Sequence, residues 1–281
     1  MKDNVLLRTE NMSRKYVISD RRETEIEVLK DINLEIREQE FISIMGKSGS
    51  GKTTLLKLLG LIDRPTSGKL YFKGVDSEEL RGDRLARIRR QDMGFVYQDY
   101  YLLDSLSVFE NIMLPMILDH KDDKVCKEEA EKLAVSFQIQ NLLGKYPYEL
   151  SGGEKQRTAI CRALVNQPDV IFADEPTGNL DSRSTEIVMD VFSKIHSKMH
   201  KTVIMVTHDI NVGTMTDQHV PHATITEDGT HLTIVDAASH TTRLALDIDT
   251  LIVERGILRL DIPKKQPKPQ VEEKKCISIE G

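Results

Sequence analysis

The chain lacks tryptophan, is poor in cysteine and has no long apolar segment. Its 281 residues include three cysteines, Cys126, Cys161 and Cys276, whose spacing matches no metal-binding pattern. An odd number of cysteines gives no complete disulfide framework, which favours a reducing compartment. The longest apolar runs, such as residues 112–118, are far shorter than the roughly 20 residues of a membrane-spanning helix. The first residues carry mixed charge, so we expect no signal peptide, and any membrane role should depend on another chain.

The charge balance and the length limit the class of protein. The net charge is −6 at pH 7, so the chain has no overall basic field that would attract nucleic acid. The length allows one large domain or two small ones. From the patterns below we predict a main domain over residues 1–230 with a helical subdomain at about 99–167, a β-rich C-terminal extension over 231–262, and a disordered tail over 263–281.

The strongest pattern is a glycine-rich stretch between an apolar strand and residues at helical spacing. It runs Gly46-Lys47-Ser48-Gly49-Ser50-Gly51-Lys52-Thr53-Thr54 and fits the pattern G-x-x-x-x-G-K-[ST]. The glycines allow the loop to curl and to point its N–H groups at phosphates, beside the positive end of the following helix. We predict that Lys52 binds the β- and γ-phosphates, that the Thr53 hydroxyl binds Mg²⁺, and that Thr54 lies near the α-phosphate. A chance glycine-rich turn is the alternative.

Four short apolar strands share one feature, a polar group at the carboxyl end. Residues 41–45 lead into the glycine loop, 94–97 into Gln98, 170–173 into Asp174 and Glu175, and 203–206 into Thr207 and His208. In open α/β sheets the ligand crevice lies along that edge. Asp174 is placed to hold Mg²⁺ through water, and adjacent carboxylates at a strand end repel each other unless a cation offsets the repulsion. An ordinary acidic strand end is the alternative for either residue alone.

The remaining segments suggest accessory elements. Residues 28–36 and 69–72 alternate like half-exposed strands and predict an antiparallel sheet beside the nucleotide core. Between 99 and 167 the spacing is helical, with a capping box at Ser107, and Pro115 should disturb or end that helix. Cys126 falls on the apolar face of the next helix and should be buried. The segment 220–262 should form β-hairpins.

A second anion-binding pattern occurs at residues 150–157. Ser151 and Glu154 form a capping box, which alone would explain this stretch. However, Ser151-Gly152-Gly153 also leaves bare N–H groups at the positive end of a long helix, and this arrangement favours an anion. A chain that binds one triphosphate needs a single phosphate-binding site. This chain has two candidate anion-binding sites, the glycine loop and residues 151–153.

Taken together, these motifs resemble the ATP-binding subunit of ABC transporters, over roughly residues 5–230 and in the order of that family. The resemblance implies an α/β fold, a P-loop NTPase (ABC ATPase) core with an antiparallel β subdomain and a helical insert, here followed by the β-rich C-terminal extension. It also implies ATP and Mg²⁺ as cofactors. The family forms a head-to-tail dimer, in which Ser151, Gly152 and Gly153 of one subunit would close on the γ-phosphate in the other.

The resemblance assigns roles to further residues. Glu175 would be the general base that orients the attacking water, and His208 the switch histidine at the γ-phosphate. Gln98 resembles the glutamine that touches Mg²⁺ and senses that phosphate, although a surface glutamine is the alternative. Asp181, in Asn179-Leu180-Asp181, would lie in the loop that crosses to the partner, or would only cap a helix. Tyr16 would stack on adenine, or would be a plain surface tyrosine. The catalytic set would thus be Glu175, His208, Lys52 and Gln98.

Three segments, 24–34, 108–112 and 179–181, resemble the group of macrolide-exporter, lipoprotein-release and bacitracin-type antimicrobial-peptide transporter ATPases. We therefore predict a cytoplasmic ATPase subunit, peripheral on the inner face of the cell membrane. Its partners would be a permease on a separate chain and a second copy of itself, with no nucleic acid. The alternatives are a soluble ABC ATPase acting on DNA or ribosomes, a cell-division-type ATPase, and a regulatory nucleotide-binding module without hydrolysis.

Overall fold

The computed structural model describes most of the chain up to residue 212 and four strands beyond it. The described residues are 4–19, 23–45, 48–209, 212, 222–227, 231–236, 251–254 and 257–261. Gly46, Lys47 and the predicted tail over 263–281 lie outside them. Within the described part, no helix is long and apolar enough to cross a membrane.

Twelve strands, six α-helices and three short 3₁₀ helices, at Ser77–Glu79, Gln140–Leu142 and Pro147–Glu149, make up the described elements. The strands are β1 (Val5–Ser19), β2 (Glu23–Arg37), β3 (Phe41–Met45), β4 (Ser67–Phe72), β5 (Val75–Asp76), β6 (Met93–Tyr97), β7 (Val170–Asp174), β8 (Thr202–Thr207), β9 (His222–Glu227), β10 (His231–Asp236), β11 (Leu251–Glu254) and β12 (Ile257–Asp261). The helices are α1 (Lys52–Leu59), α2 (Gly82–Gln91), α3 (Val108–Leu118), α4 (Asp123–Ser136), α5 (Gly152–Leu164) and α6 (Ser182–Ser197).

The main sheet carries the four strands with polar carboxyl ends as neighbours. Its order is β11-β12-β10-β9-β3-β8-β7-β6, and β3, β8, β7 and β6 are parallel to one another. In register, Asp174 lies opposite both Tyr97 and Val206, so β6, β7 and β8 end level with each other. The predicted edge is therefore confirmed, because parallel strands bring their carboxyl ends to the same side.

Alternation along these strands divides the core into two layers. On β7, Val170 and Phe172 pack with α1 and the antiparallel sheet, whereas Ile171 and Ala173 pack with the helices α3 to α6. Successive side chains of a strand point to opposite faces, so a wholly apolar strand can serve both layers. Because both faces of β7 are buried, its carboxyl end is fixed relative to the neighbouring strands. These strand ends form the site.

A second, antiparallel sheet has the order β2-β1-β4-β5, which confirms the prediction from the alternating segments. Inward-facing residues such as Leu7 and Leu70 are fully buried, and they join the core layer that contains α1. This packing holds Val28 on β2 at the side of the glycine loop, as the next section describes.

The helical segment agrees with its prediction, except that the helix does not end at Pro115. The Ser107 capping box is present, since the Glu110 N–H donates to the Ser107 Oγ at 3.2 Å and Ser107 N–H donates to Glu110 Oε2 at 2.8 Å. Pro115 does not end the helix, because α3 continues to Leu118 and buries Met116 against the core. Burial of Met116 offsets the single hydrogen bond that proline removes. Cys126 is fully buried, as predicted.

The last four strands extend the main sheet. Strand β9 pairs in parallel with β3, and β10 and β12 then continue in antiparallel order. The hairpin of β9 and β10 agrees with the turn signal at residues 227–229. The division of the chain at residues 230 and 262 remains a prediction.

Candidate functional site

The glycine loop turns from the end of β3 into α1 with the backbone that only glycine adopts readily. Gly49 has φ +81° and Gly51 has φ +95°, and Gly51 is the N-cap of α1. A Cβ atom on Gly51 would lie 3.1 Å from Val28 Cγ1, so β2 packs directly against the loop. The predicted loop residues Gly46 and Lys47 lie outside the described part. The loop thus presents the positive end of α1 to an open cleft.

This cleft has a volume of about 210 Å³ and carries most of the predicted phosphate-binding residues. Its lining consists of Val28, Ser48, Gly49, Gly51, Lys52, Thr53, Thr54 and Glu175. Lys52 is 7% exposed, so its ammonium group stays next to the loop. A nest of N–H groups with one buried lysine is suited to a chain of phosphates and to little else.

Thr53 and Asp174 meet at the floor of the site. The Thr53 hydroxyl donates a hydrogen bond to Asp174 Oδ1 at 3.0 Å. Burial raises the pKa of Asp174, and the neighbouring Glu175 carboxylate raises it further, against the hydrogen bond from Thr53. A half-buried carboxylate beside a hydroxyl oxygen is a donor set that fits Mg²⁺, which prefers oxygen ligands together with phosphates and water.

Glu175 takes up a left-handed backbone conformation at the end of β7. Its φ is +46°, which is uncommon for a residue other than glycine. Its N–H donates to the Val206 carbonyl at 2.8 Å, and its own carbonyl accepts from the Gly178 N–H at 3.0 Å. The side chain then lies 2.9 Å from the Nδ1 of His208, measured from Oε2. The two residues predicted as base and switch histidine are therefore direct neighbours.

Gln98 follows β6 as predicted, and its side chain turns toward Asn179. Its Nε2 donates to Asn179 Oδ1 at 3.0 Å, and the Asn179 amide in turn donates to the Gln98 carbonyl at 3.2 Å and to Asp99 Oδ1 at 3.1 Å. A Cβ atom on Gly178 would lie only 2.8 Å from Gln98 Nε2. Residues 178 and 179 therefore fix the position of the Gln98 side-chain amide. The contact of this amide with Mg²⁺ remains a prediction.

Ser151 begins α5 at an exposed position. Glu154 Oε2 accepts hydrogen bonds from the Ser151 N–H at 2.8 Å and from its hydroxyl at 2.7 Å, and these bonds lower the pKa of Glu154. Gly152 packs closely, since a Cβ atom there would lie 3.1 Å from the Tyr100 hydroxyl and 3.2 Å from Leu180 Cδ2. Residues 151–153 do not line the described cleft around the chain's own glycine loop.

Asp181 supplies the ordinary N-cap of α6. Its Oδ1 accepts from the Ser184 N–H at 3.0 Å and its Oδ2 accepts from the Ser184 hydroxyl at 2.8 Å, and these bonds lower the pKa of Asp181. A Cβ atom on Gly153 would lie 3.1 Å from the same hydroxyl. The start of α5 and the start of α6 are thus in contact. Capping accounts for the local role of Asp181, and its contact with a partner stays a prediction.

Tyr16 is half-buried, and its hydroxyl and its ring both have partners, while its contact with adenine stays a prediction. Its hydroxyl donates to Asp63 Oδ2 at 3.0 Å, and the same carboxylate oxygen lies 2.9 Å from an Arg14 nitrogen. The Arg14 guanidinium carbon lies 4.4 Å from the centroid of the Tyr16 ring. The ring is therefore held by two contacts while it keeps partial exposure.

Two residues with structural influence on the site received no role from the sequence, and the contact of Asn179 with Gln98, described above, was not foreseen either. Gln156 on α5 donates to the Pro176 carbonyl at 2.7 Å, next to Glu175. Arg162, also on α5, donates to the carbonyls of Tyr100, at 2.6 Å, and of Tyr101. For Gln156 and Arg162 the available signal is a polar residue among the apolar positions of a helix, and that signal does not identify its partner.

A second cleft, of about 480 Å³, adjoins the first one at Glu175 and His208. Its walls come from the loop after β7, the first turn of α6 and the end of β8. Residues that line it include Thr177, Gly178, Leu180, Ser182, Thr185, Glu186, Thr207, Asp209 and Val212. Glu175 lines both clefts and therefore lies where they meet.

Comparisons with known proteins agree with one another. A family model described as ABC transporter matches residues 29–178. The lipoprotein-releasing system ATP-binding protein LolD of Aquifex aeolicus is 46% identical over 68% of this chain and 84% of its own length. The bacitracin export ATP-binding protein BceA of Halalkalibacterium halodurans is 43% identical over 65% of this chain and 72% of its own length.

Solved structures resemble the chain as well. One is a dimeric structure of a post-hydrolysis state of the ATP-binding cassette MJ0796, a protein of Methanocaldococcus jannaschii, bound to ADP and Pi. Its TM-score is 0.70 at 36% sequence identity, over 79% of this chain and 94% of the other. The fold predicted from the motifs is therefore confirmed.

Proposed function

This chain belongs to the ABC transporter family, and we propose that it drives a membrane complex of the group that includes lipoprotein-release and antimicrobial-peptide transporters. It is an ABC-type ATPase subunit, which binds ATP and couples hydrolysis to transport. ABC ATPase domains work as dimers together with membrane permease partners. The finer proposal is that two copies of this chain pair with a permease on a separate chain, at the inner face of the cell membrane.

The proposal rests on one observation, the position of Glu175. Its carboxylate lines the cleft of the glycine loop and contacts His208 at 2.9 Å. A carboxylate at the edge of a phosphate cleft is placed to orient a water molecule and to accept its proton. His208, on the other side of Glu175, would hold the γ-phosphate and keep the carboxylate oriented.

The phosphate-binding residues would act before the chemical step. Residues 48–54, together with Gly46 and Lys47, would wrap the phosphates, and Lys52 would neutralise part of their charge. Thr53, Asp174 and Gln98 would hold Mg²⁺, which supplies charge neutralisation to the phosphates when it is bound. Tyr16 would stack on the adenine ring.

The dimer would place Ser151 on the nucleotide of the partner subunit. Within one chain, residues 151–153 do not line the described phosphate cleft. Ser151 is nevertheless exposed at the positive end of α5, a 13-residue helix, where an anion is stabilised. Two such chains arranged head to tail would enclose each ATP between Lys52 of one and Ser151 of the other. Asp181 would lie at the same interface.

The most specific part of the proposal is the class of substrate. The similarity to proteins named for lipoprotein release and for bacitracin export supports work on an amphipathic or peptide substrate at the membrane. The net charge of −6 gives no support for a nucleic-acid partner.

The test separates nucleotide binding from hydrolysis. Lys52→Ala should weaken ATP binding, because Lys52 contacts the phosphates of bound ATP. Glu175→Gln should keep ATP binding but lower the hydrolysis rate by roughly 10²–10⁴-fold, the usual contribution of a positioned base. With Mg²⁺-ATP, the Glu175→Gln protein should accumulate as a dimer in size-exclusion chromatography, whereas Lys52→Ala should stay monomeric.

Two outcomes would contradict the proposal in different ways. A wild-type hydrolysis rate in Glu175→Gln would mean that Glu175 is not the base. Lost hydrolysis without any ATP-dependent dimer, at nucleotide concentrations that saturate binding, would instead refute the head-to-tail arrangement.

A further inference from the structure

The backbone of Glu175 needs an explanation, because a glutamate does not adopt left-handed angles without support. Its φ of +46° places Cβ too close to the following carbonyl, which is unfavourable for any residue with a side chain. Conformations of this kind persist only where the surrounding structure over-determines them. Glu175 therefore depends on its neighbours for the direction of its carboxylate.

Two of the supporting contacts are backbone hydrogen bonds. The Glu175 N–H donates to Val206 on β8, and the Glu175 carbonyl accepts from the Gly178 N–H. The second bond closes a β-turn over residues 175–178, with Pro176 at the second position, where its fixed φ is favourable. These bonds fix both ends of the turn and leave its central peptide, between Pro176 and Thr177, without a backbone partner among the described residues.

A side chain holds that central peptide. Gln156 on α5 is fully buried, and its Nε2 donates to the Pro176 carbonyl at 2.7 Å. Gln156 lies five positions after Ser151, on the helix whose N-terminus carries the second anion-binding pattern. The turn that carries Glu175 is therefore tied to the body of α5.

The amide of Gln156 is not well explained as a stabilising group. Its Oε1 is buried and has no hydrogen-bond partner among the described residues. A buried polar atom without a partner costs free energy, which offsets much of what the bond to Pro176 contributes. A methionine of similar length would fill the same space without that cost. However, methionine has no N–H group to donate to the Pro176 carbonyl.

We propose that Gln156 is a positioning residue, whose bond to the Pro176 carbonyl keeps Glu175 in the left-handed conformation needed for hydrolysis. This inference rests on the proposed role of Glu175 as the base. Without the donor, the Pro176 carbonyl loses the bond that fixes the peptide next to Glu175, and the carboxylate loses its fixed direction toward the phosphate cleft. Binding of ATP does not depend on that direction.

The experiment uses Gln156→Met in the full-length chain, with Thr158→Val as the matched control. Thr158 is also fully buried on α5, and its hydroxyl donates within the helix to the Glu154 carbonyl at 2.9 Å, away from the turn. We expect Gln156→Met to lower kcat by about 10- to 100-fold, since a displacement of about 1 Å can cost 10²-fold, and to leave KM for ATP within about twofold. Thr158→Val should change neither constant, and the two proteins should melt at similar temperatures.

A second arm places Gln156→Met in a Glu175→Gln background. If Gln156 acts through Glu175, the double variant should form the ATP-dependent dimer as well as Glu175→Gln does. Loss of that dimer, or a raised KM, would show that Gln156 serves α5 as a whole and would overturn the inference. An unchanged kcat in Gln156→Met would overturn it as well, with Glu175 still the base. A wild-type rate in Glu175→Gln would remove the base assignment and this inference with it.

Discussion

Gln98 and Asn179 bind each other through reciprocal amide hydrogen bonds. The Gln98 side chain donates to Asn179 Oδ1 at 3.0 Å, and the Asn179 side chain donates to the Gln98 carbonyl at 3.2 Å. One residue follows β6 and leads into the helical segment, and the other follows β7 and leads into α6. Gln98, a proposed Mg²⁺ ligand, is thus hydrogen-bonded to Asn179, in the loop that we expect to face the partner subunit.

The first prediction concerns Gly178, which lies against that pair. In Gly178→Ala the new Cβ would lie 2.8 Å from Gln98 Nε2, so the amide has to move. Only the far end of a flexible side chain is displaced, so we expect the free energy of unfolding to change little. Hydrolysis should slow by about tenfold through misplacement of Gln98. Steady-state ATPase assays at several Mg²⁺ concentrations measure this effect.

Gly144→Ala is the matched control, because a Cβ atom there has no heavy atom within 4 Å. It should hydrolyse ATP at the wild-type rate. Equal rates in Gly178→Ala and Gly144→Ala would show that the position of Gln98 does not affect hydrolysis.

The second prediction concerns the adenine contact of Tyr16. Aromatic stacking is worth about 0.5–1.5 kcal/mol, so Tyr16→Ala should raise KM for ATP by about 2- to 12-fold with little change in kcat. Tyr16→Phe keeps the ring and loses only the bond to Asp63. Its KM should stay close to the wild-type value. If both variants raise KM equally, the Asp63 contact rather than the ring determines affinity.

The third prediction concerns Arg162, which holds the chain that leaves Gln98. Tyr100 and Tyr101 have φ values of +61° and +45°, and Arg162 donates to both carbonyls. Burial lowers the pKa of Arg162. Because the pKa of an arginine lies far above neutral pH, Arg162 still stays charged at that pH. Arg162→Met should reduce the free energy of unfolding by about 1.5–3 kcal/mol, the usual contribution of charged hydrogen bonds.

Urea denaturation measures that loss, and hydrogen exchange should become faster in the segment that follows Gln98. Arg84→Met is the control, since Arg84 is an exposed arginine on α2. Equal stability of the two variants would mean that the left-handed residues hold their conformation without Arg162.

The fourth prediction concerns the membrane partner. Tyr101 and Leu103 are 62% and 47% exposed and lie in the segment between β6 and α3. These exposed apolar side chains follow Gln98, which belongs to the proposed site. Such a surface can bind a helix of a permease. A photo-cross-linker attached to Leu103→Cys should capture a multi-span membrane protein in cells that carry the native complex.

The native thiols allow this design. Cys126 and Cys161 are fully buried, and Cys276, outside the described residues, is replaced by serine. Val135→Cys is the control, since Val135 is 62% exposed on α4. Capture of the same soluble proteins from both positions would contradict docking at Leu103.

The sequence alone determined the elements whose signals are local. The glycine loop, the apolar strands with polar carboxyl ends and the burial of Cys126 follow from residue types at fixed spacing. Because parallel strands align their carboxyl ends, Asp174 and His208 could be placed at one edge before any contact was known. The family could be recognised for the same reason, since its motifs are short and contiguous.

The tertiary structure decided whatever depends on two distant segments. Glu175 contacts His208 and Gln156 contacts Pro176 only because β8 and α5 pack on either side of one turn. The left-handed backbone of Glu175 has no sequence signal, since glutamate does not favour it. At Pro115 a local rule predicted that the helix is disturbed or ends, and the helix instead continues and buries Met116. Local preferences are worth about 1–3 kcal/mol, and packing of a buried side chain is of the same size, so the tertiary environment decides between them.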